Sequence, residues 1–304
     1  METNKKNVFK IIFFAFCAVF MVVFIIIGLG HKKKSTAPWS LKQFSDDSGK
    51  QGTFYILENN NDGTVIVIDG GTSKNARKVR NEIRKSGGKV DAWIITHFHD
   101  DHVEAFNEIY ADPGDIEIGK VYTPGIDPDM YMQLIREWDD PGPYNTFMNQ
   151  TEGDDRIVHP ARMDVLEFDG LKIEILCTFD ELLLSCFKEY MDPANDISMV
   201  FKVSGEKDTL LFLGDFHTDA LGDGLIQLHG DKLKAEMVQA GHHGNNSLPE
   251  RFYEFVSPKV MLFDAPKWLM EGEEYTSKDL AAWCDANGIE RYDFTSAPNV
   301  FDFE

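Results

Sequence analysis

The sequence predicts one α/β domain preceded by a single apolar helix. Three observations carry this. Short apolar runs alternate with a helical pattern in the order strand, helix, strand; an uncharged stretch runs from Ile11 to Leu29; and no internal repeat or low-complexity tract interrupts the 304 residues. At 43% hydrophobic residues the chain has enough apolar content for a real core, which excludes a disordered or collagen-like polymer.

The N-terminal stretch IIFFAFCAVFMVVFIIIGL is about 28 Å long as a helix, close to the hydrocarbon thickness of a bilayer. It is longer than the apolar region of a cleaved signal peptide, and GLG runs directly into HKKK with no small-residue cleavage pattern. Residues 1–10 therefore read as a short tail, 11–30 as a transmembrane helix and 31–52 as a basic juxtamembrane segment and linker, with the main domain over 53–304. Lys5, Lys6 and Lys10 balance Lys32, Lys33 and Lys34, so the positive-inside rule gives a tie. We expect a single-pass protein of the cell membrane with its domain on the extracytoplasmic side.

Within the domain, TFYILE (53–58) and TVIVIDGG (64–71) flank NNNDG and read as a hairpin. SKNARKVRNEIRKSGG then sets Ala76, Val79 and Ile83 on one helical face and stops at paired glycines, and VDAWIITH follows as a buried strand. Lys74, Arg77, Lys78, Arg80, Arg84 and Lys85 make that helix basic, as expected of a solvated outer face. Residues 112–158, rich in Pro, Gly and acids, read as an irregular insertion around one helix, MYMQLIREW, of the kind that walls a site. Strands resume at MDVLEF, LKIEIL, SMVFKV, DTLLFLGD, KAEMVQAGHH and KVMLFDA, with helices at 248–256 and at TSKDLAAWCDANG.

Charge narrows the function. Thirty Lys+Arg stand against 51 Asp+Glu, and removing the basic leader leaves 24 against 50, a formal charge of −26. Such a field repels a phosphate backbone, so tight nucleic-acid binding is not expected. Cys177, Cys186 and Cys284 show no CxxC spacing and read as small apolar side chains rather than a disulfide framework or thiolate metal site.

Five of the nine histidines fall in two clusters, each at the end of an apolar strand. The first is Thr96-His97-Phe98-His99-Asp100-Asp101-His102; the second is His242-His243 in AGHHG. A strand-end loop can aim His97 and His99 to one side and Asp101 and His102 to another. Imidazole and carboxylate are donors that zinc and related ions accept. Two neighbouring ions need a bridging carboxylate, and Asp215, at the end of LFLGD, is the candidate. No nucleophilic Ser elbow, phosphate-binding Gly loop or dinucleotide fingerprint is present.

HxHxDH, preceded by the strand-ending Asp69 and followed in order by GD and HHG, resembles the metallo-β-lactamase-fold metallohydrolases. The detailed pattern is most similar to the branch holding the C-terminal domain of the competence protein ComEC and the phosphorylcholine esterases, through THxHxDH, Asn195-Asp196-Ile197-Ser198, Gly214-Asp215 and His242-His243-Gly244. The resemblance implies a four-layer αββα sandwich over about residues 50–304. It implies that His97 and His99 hold one ion, that Asp101 and His102 hold the other with one histidine of the HHG pair, and that Asp215 bridges. Sequence does not separate the adjacent histidines; His242 is favoured as ligand and His243 as the group touching substrate. Asp69 is expected to orient the metal-binding loop, with Asn195 and Ser198 behind the first site.

The implied cofactor is two Zn2+, with Mn2+ or Fe as acceptable substitutes. The implied activity is hydrolysis of a phosphodiester by a hydroxide between the ions, with Asp101, Asp215 and His243 as catalytic groups. Alternatives are a carboxylic ester, lactone or thioester hydrolase on the same site, or a non-catalytic metal-binding module. The third histidine that many superfamily members give the first ion is missing near Asn195. His159 is its weaker substitute, also readable as a surface residue; His217, two residues after Asp215, can point the same way along an extended chain, and His229 has no companion.

Overall fold

Period-two alternation decides the layers. Tyr55 and Leu57, Ile66 and Ile68, Ala92 and Ile94 join one buried cluster, while their neighbours Phe54 and Ile56, Val65 and Val67, Trp93 and Ile95 join another. Strands apolar on both faces must be covered on both.

The computed structural model describes residues 37–304. The chain enters through β1 (Trp39–Gln43), β2 (Phe54–Asn59) and β3 (Val65–Asp69), and passes by α1 (Ala76–Lys85) to β4 (Lys89–Ile94). It continues through α2 (Asp100–Ala111), β5 (Glu117–Tyr122), α3 (Pro128–Leu134), α4 (Gly142–Thr151) and β6 (Ile157–Val158). The second half supplies β7 (Val165–Phe168), β8 (Leu171–Cys177), α5 (Glu181–Cys186), α6 (Pro193–Asp196), β9 (Val200–Ser204) and β10 (Thr209–Phe212). After α7 (Asp219–His229) come β11 (Met237–Gln239), α8 (Glu250–Val256), β12 (Val260–Leu262), α9 (Lys267–Glu271), α10 (Ser277–Ala286), β13 (Glu290–Tyr292) and β14 (Asn299–Phe303).

These strands build two seven-stranded sheets, in the orders β14-β1-β2-β3-β4-β5-β6 and β13-β12-β11-β10-β9-β8-β7. Between the sheets lies a core from both, including Trp39, Leu41, Tyr55, Ile173, Phe201 and Phe212. Helices α1, α2 and α4 cover the outer face of the first sheet, with Val79, Phe106 and Phe147 in its cluster. Helices α7, α8 and α10 cover the second through Leu225, Phe252 and Leu280. The result is the four-layer αββα arrangement.

Strand direction fixes where the chemistry can sit. β3, β4 and β5 run parallel in the first sheet, and β10, β11 and β12 run parallel in the second. The loops that leave their C-terminal ends hold Asp69, the His97 cluster, Asp215, His243 and Asp264.

Several expectations need correction. Residues 39–43 lie in the segment read as linker, yet they form a strand paired on both edges, with Trp39 and Leu41 fully buried. The HxHxDH motif is only half a loop, because α2 begins at Asp100 and holds Asp101 and His102 in its first turn. The insertion is more regular than its composition suggests: α4 lies inside it, and the expected helix MYMQLIREW is cut at Leu134. The expected membrane span 11–30 lies outside the described residues; among these no helix is long and apolar enough to cross a bilayer. Cys177 and Cys284 are buried free thiols, as their sequence context suggests.

Phe212 stacks on Phe201 at 5.0 Å and meets Tyr55 edge-on at 5.0 Å between the sheets. Phe212→Ala should lower unfolding stability by about 3–5 kcal/mol in a denaturant titration; a loss below about 1 kcal/mol would show that this layer is not the core.

Candidate metal centre

Asp69 organises the loop. It ends β3 in the left-handed region at φ 51°, which turns its side chain toward the end of the neighbouring parallel strand. There Oδ1 accepts from the Thr96 amide at 2.7 Å, and Oδ2 accepts from Thr96 Oγ1 at 2.7 Å and pairs with His102 Nδ1 at 2.8 Å. The Trp93 indole also donates to the Asp69 carbonyl at 2.9 Å. His102 is thereby fixed through one ring nitrogen with the other directed inward, the usual way a protein presents an imidazole to a metal.

Asp215 follows β10, and its amide donates to Ser198 Oγ at 3.0 Å. The preceding Gly214, at φ 55°, packs so tightly that an added Cβ would lie 2.9 Å from Ser198 and 3.0 Å from Thr96. Any side chain there would push the Asp215 loop off the His97 loop.

Two donor groups result: His97, His99 and Asp215, and Asp101, His102 and His243, with the candidate donor atoms of each group within 4.8 Å of one another. Asp215 lies between them. Its Oδ2 is 3.8 Å from His97 Nε2 and 3.3 Å from His243 Nε2, and its Oδ1 is 3.2 Å from His102 Nε2. Asp101 Oδ2 is 3.2 Å from His243 Nε2, and the Nε2 atoms of His102 and His243 are 3.4 Å apart. His97 Nε2 and Asp215 Oδ1 are buried without a hydrogen-bond partner.

Electrostatics follow from this crowding. Burial, with the neighbouring His102, pushes His97 well below the ordinary histidine range. Burial acts the same way on His102, but the carboxylates of Asp215 and Asp69 outweigh it and raise that ring. His243 is pushed up to about 10, against burial, by Asp215 and Asp101. Asp215 is in turn held well below the carboxylate range, burial notwithstanding, by His102 and His243. The carboxylates draw positive charge onto the imidazoles facing them.

His243, rather than the favoured His242, stands with Asp101 and His102. Both residues have left-handed backbones, at φ 57° and 50°, so their side chains diverge and their ring centroids are 6.2 Å apart. His243 is held by Nδ1 against the Asp264 carbonyl at 3.1 Å. His242 instead lines a cleft of about 450 Å3 with its Nδ1 unpartnered, and burial lowers it to about 4.

Asn195 also lines the cleft, with Nδ2 donating to Asp192 Oδ2 at 3.2 Å and Oδ1 unpartnered. His217 lies beside His242, at 5.0 Å between rings, and its Nδ1 is 3.1 Å from the Asp215 carbonyl. His159 contacts the Thr123 carbonyl and does not join either donor group. The basic helix is tied down locally, Lys78 to Asp47 at 3.0 Å and Arg84 to Asp115 at 2.6 Å.

Sequence reasoning missed Asp139, Asp196 and Asp264. Asp264 repeats the strand-end aspartate seen at Asp69 and Asp215, a signal that could have found it. It is fully buried and accepts from Gln43 at 2.9 Å, Thr53 at 3.0 Å and Tyr55 at 2.6 Å. Asp196 caps the loop after Asp215, accepting from the amides of His217 and Thr218 at 3.1 Å each. Asp139 comes from the insertion and carries no motif.

Residues 48–118 match the sequence profile of the metallo-beta-lactamase superfamily. No curated protein matches the chain. Among solved structures it is similar to the metallo-beta-lactamase fold protein YhfI from Bacillus subtilis, with TM-score 0.53 and 10% identity over 87% of this chain and 99% of that one. It is also similar to CmlA, a diiron beta-hydroxylase from Streptomyces venezuelae, with TM-score 0.54 and 11% identity over 87% of this chain and 54% of that one. At these identities the likeness establishes the fold: this is a mixed α/β metallo-β-lactamase fold with two sheets.

Asp69→Ala should leave His102 free to turn and weaken metal at the Asp101–His102–His243 group by roughly 10–100-fold. Competition with a chromophoric chelator measures this; unchanged affinity would mean that Asp69 serves the turn alone.

Proposed function

We propose that the protein is a membrane-anchored, metal-dependent hydrolase acting on a phosphodiester. One observation carries the reading: two groups of His and Asp donors, all buried but the half-buried His99, meet across a single carboxylate, Asp215, at the wall of a cleft. The donor set suits divalent ions. Nitrogen and carboxylate oxygen are accepted by Zn2+, Mn2+ and Fe alike, and the buried His97 Nε2, which has no hydrogen-bond partner, fits the same assignment. In this reading His97 and His99 hold one ion, Asp101, His102 and His243 the other, and Asp215 both, with Zn2+ the proposed metal.

Bound ions of this kind lower the pKa of water towards 7 and act as Lewis acids. The chain's own groups do the rest. Asp69 and the Asp264 carbonyl hold the rings of His102 and His243. Asp101 and Asp215 carry the carboxylates that orient water by accepting its hydrogen bonds. His242, at the cleft wall with a free ring nitrogen, takes the substrate-facing role first expected of His243.

Cleft charge limits the substrate. Asp100, Asp101, Asp139, Asp140, Asp192 and Asp215 line it, and among the described residues no Lys or Arg does. Even with two divalent ions bound, the surplus carboxylates oppose a polyanion, which favours a small phosphodiester over a nucleic-acid chain. The motif order THxHxDH, Asn195-to-Ser198, Gly214-Asp215 and HHG supports the ComEC-like and phosphorylcholine esterase branch. The uncharged stretch 11–29 supports the anchor.

The test is fractionation of cells making the full chain, followed by assay with bis-p-nitrophenyl phosphate and p-nitrophenyl acetate after zinc or manganese loading. Phosphodiester hydrolysis in the membrane fraction is expected, with Asp215→Ala and His99→Ala lowering kcat/KM by about 10³-fold or more, several kcal/mol. Ester turnover without diester turnover would replace the substrate class, and activity indifferent to both substitutions would remove the site. Activity in the soluble fraction would remove the anchor alone.

A further inference from the structure

Three of the four histidines at the centre are held in the same way. His97, His102 and His243 each contact the protein through Nδ1, with Thr96 Oγ1 at 3.2 Å, Asp69 Oδ2 at 2.8 Å and the Asp264 carbonyl at 3.1 Å respectively. Their Nε2 atoms face inward. His99 is the exception, because its polar contact is through Nε2, to Asp139 Oδ1 at 3.4 Å.

Asp139 is built for that contact. Its side chain is only 4% exposed although it comes from an acidic loop, and its other oxygen, Oδ2, accepts from the Arg136 amide at 2.6 Å. The loop is tied to the opposite wall by the Arg136 guanidinium, which donates to the Met191 carbonyl from Nε at 2.9 Å and from Nη2 at 2.7 Å. Asp139 is not a member of the His97–His99–Asp215 group, so it is not placed as a further ligand of that group.

We propose that Asp139 is the positioning residue of His99: Nε2–H donates to the Asp139 carboxylate, and Nδ1 is left for the first ion. A carboxylate behind a ligating imidazole fixes its ring and raises its basicity. The first site, which lacks the third histidine common in this fold, is thus supported from the insertion. Trp138 and Asp140, the neighbours of Asp139, line the cleft, so one segment both walls the cleft and holds a metal ligand.

This inference rests on the two-ion reading, and its test separates the two. Long-range 15N–1H NMR of histidine-labelled, zinc-loaded full-length protein should show metal on His99 Nδ1 and a proton on its Nε2, with the reverse for the other three rings. In a two-step chelator titration, Asp139→Asn should weaken the first ion by roughly 10–100-fold and leave the second unchanged. An asparagine cannot accept from both His99 and Arg136, whereas a purely structural role would move both ions together. Ligation of His99 through Nε2, or wild-type affinity for both ions in Asp139→Asn, overturns the inference alone. A wild-type protein that takes up no metal overturns the two-ion reading and this inference with it.

Discussion

Asp101, in the first turn of α2, and Asp215, just after β10, have less than a tenth of their surface exposed, against His97, His102 and His243 that are almost fully buried. Isolated, such charges would cost many kcal/mol to bury, and pairing offsets that only when the geometry is held fixed. The surroundings are organised to hold it. Asp69 binds Thr96 and His102, Ser198 receives the Asp215 amide, and Asp264 closes a network with Gln43, Thr53 and Tyr55 behind His243. In each sheet parallel strands end at these loops and bring them together. The inter-sheet core keeps them there.

Much of this was legible in the chain. Apolar runs ending in Asp, HxHxDH and HHG marked the strand ends, because a parallel strand buried on both faces reads as a continuous apolar run that stops where the polar site begins. The adjacent histidines were not separable, since left-handed backbone at His242 and His243 reverses the side-chain directions that ordinary alternation assigns. Strand β1 was hidden by its polar neighbours, although Trp39 and Leu41 face one layer. The start of α2 was masked because Asp100, Asp101 and His102 read as ligands before they read as a first helical turn, where carboxylates are also favoured by the helix dipole. Asp139 gave no signal at all, as its role depends on a loop folded back over the site.

The insertion and the charge of the cleft bear on specificity together. Asp139 and Asp140 add negative charge beside a centre whose own carboxylates are already paired with imidazoles. In the proposed reading that surplus disfavours long polyanions, and the basic helix α1, tied into its own ion pairs, does not line the cleft. The fold by itself does not choose the reaction; one solved structure similar to this chain, CmlA, is a diiron beta-hydroxylase. The choice lies in the donor atoms and in what lines the cleft.

The central claim is that the two groups flanking Asp215 are two metal sites. Anomalous diffraction from crystals grown with zinc, recorded on both sides of the absorption edge, tests it directly. The account predicts two peaks about 3.5–4 Å apart, one against His97, His99 and Asp215 and one against Asp101, His102 and His243, with His242 bound to neither. No peak at this position, or a lone peak held by His242, would contradict it.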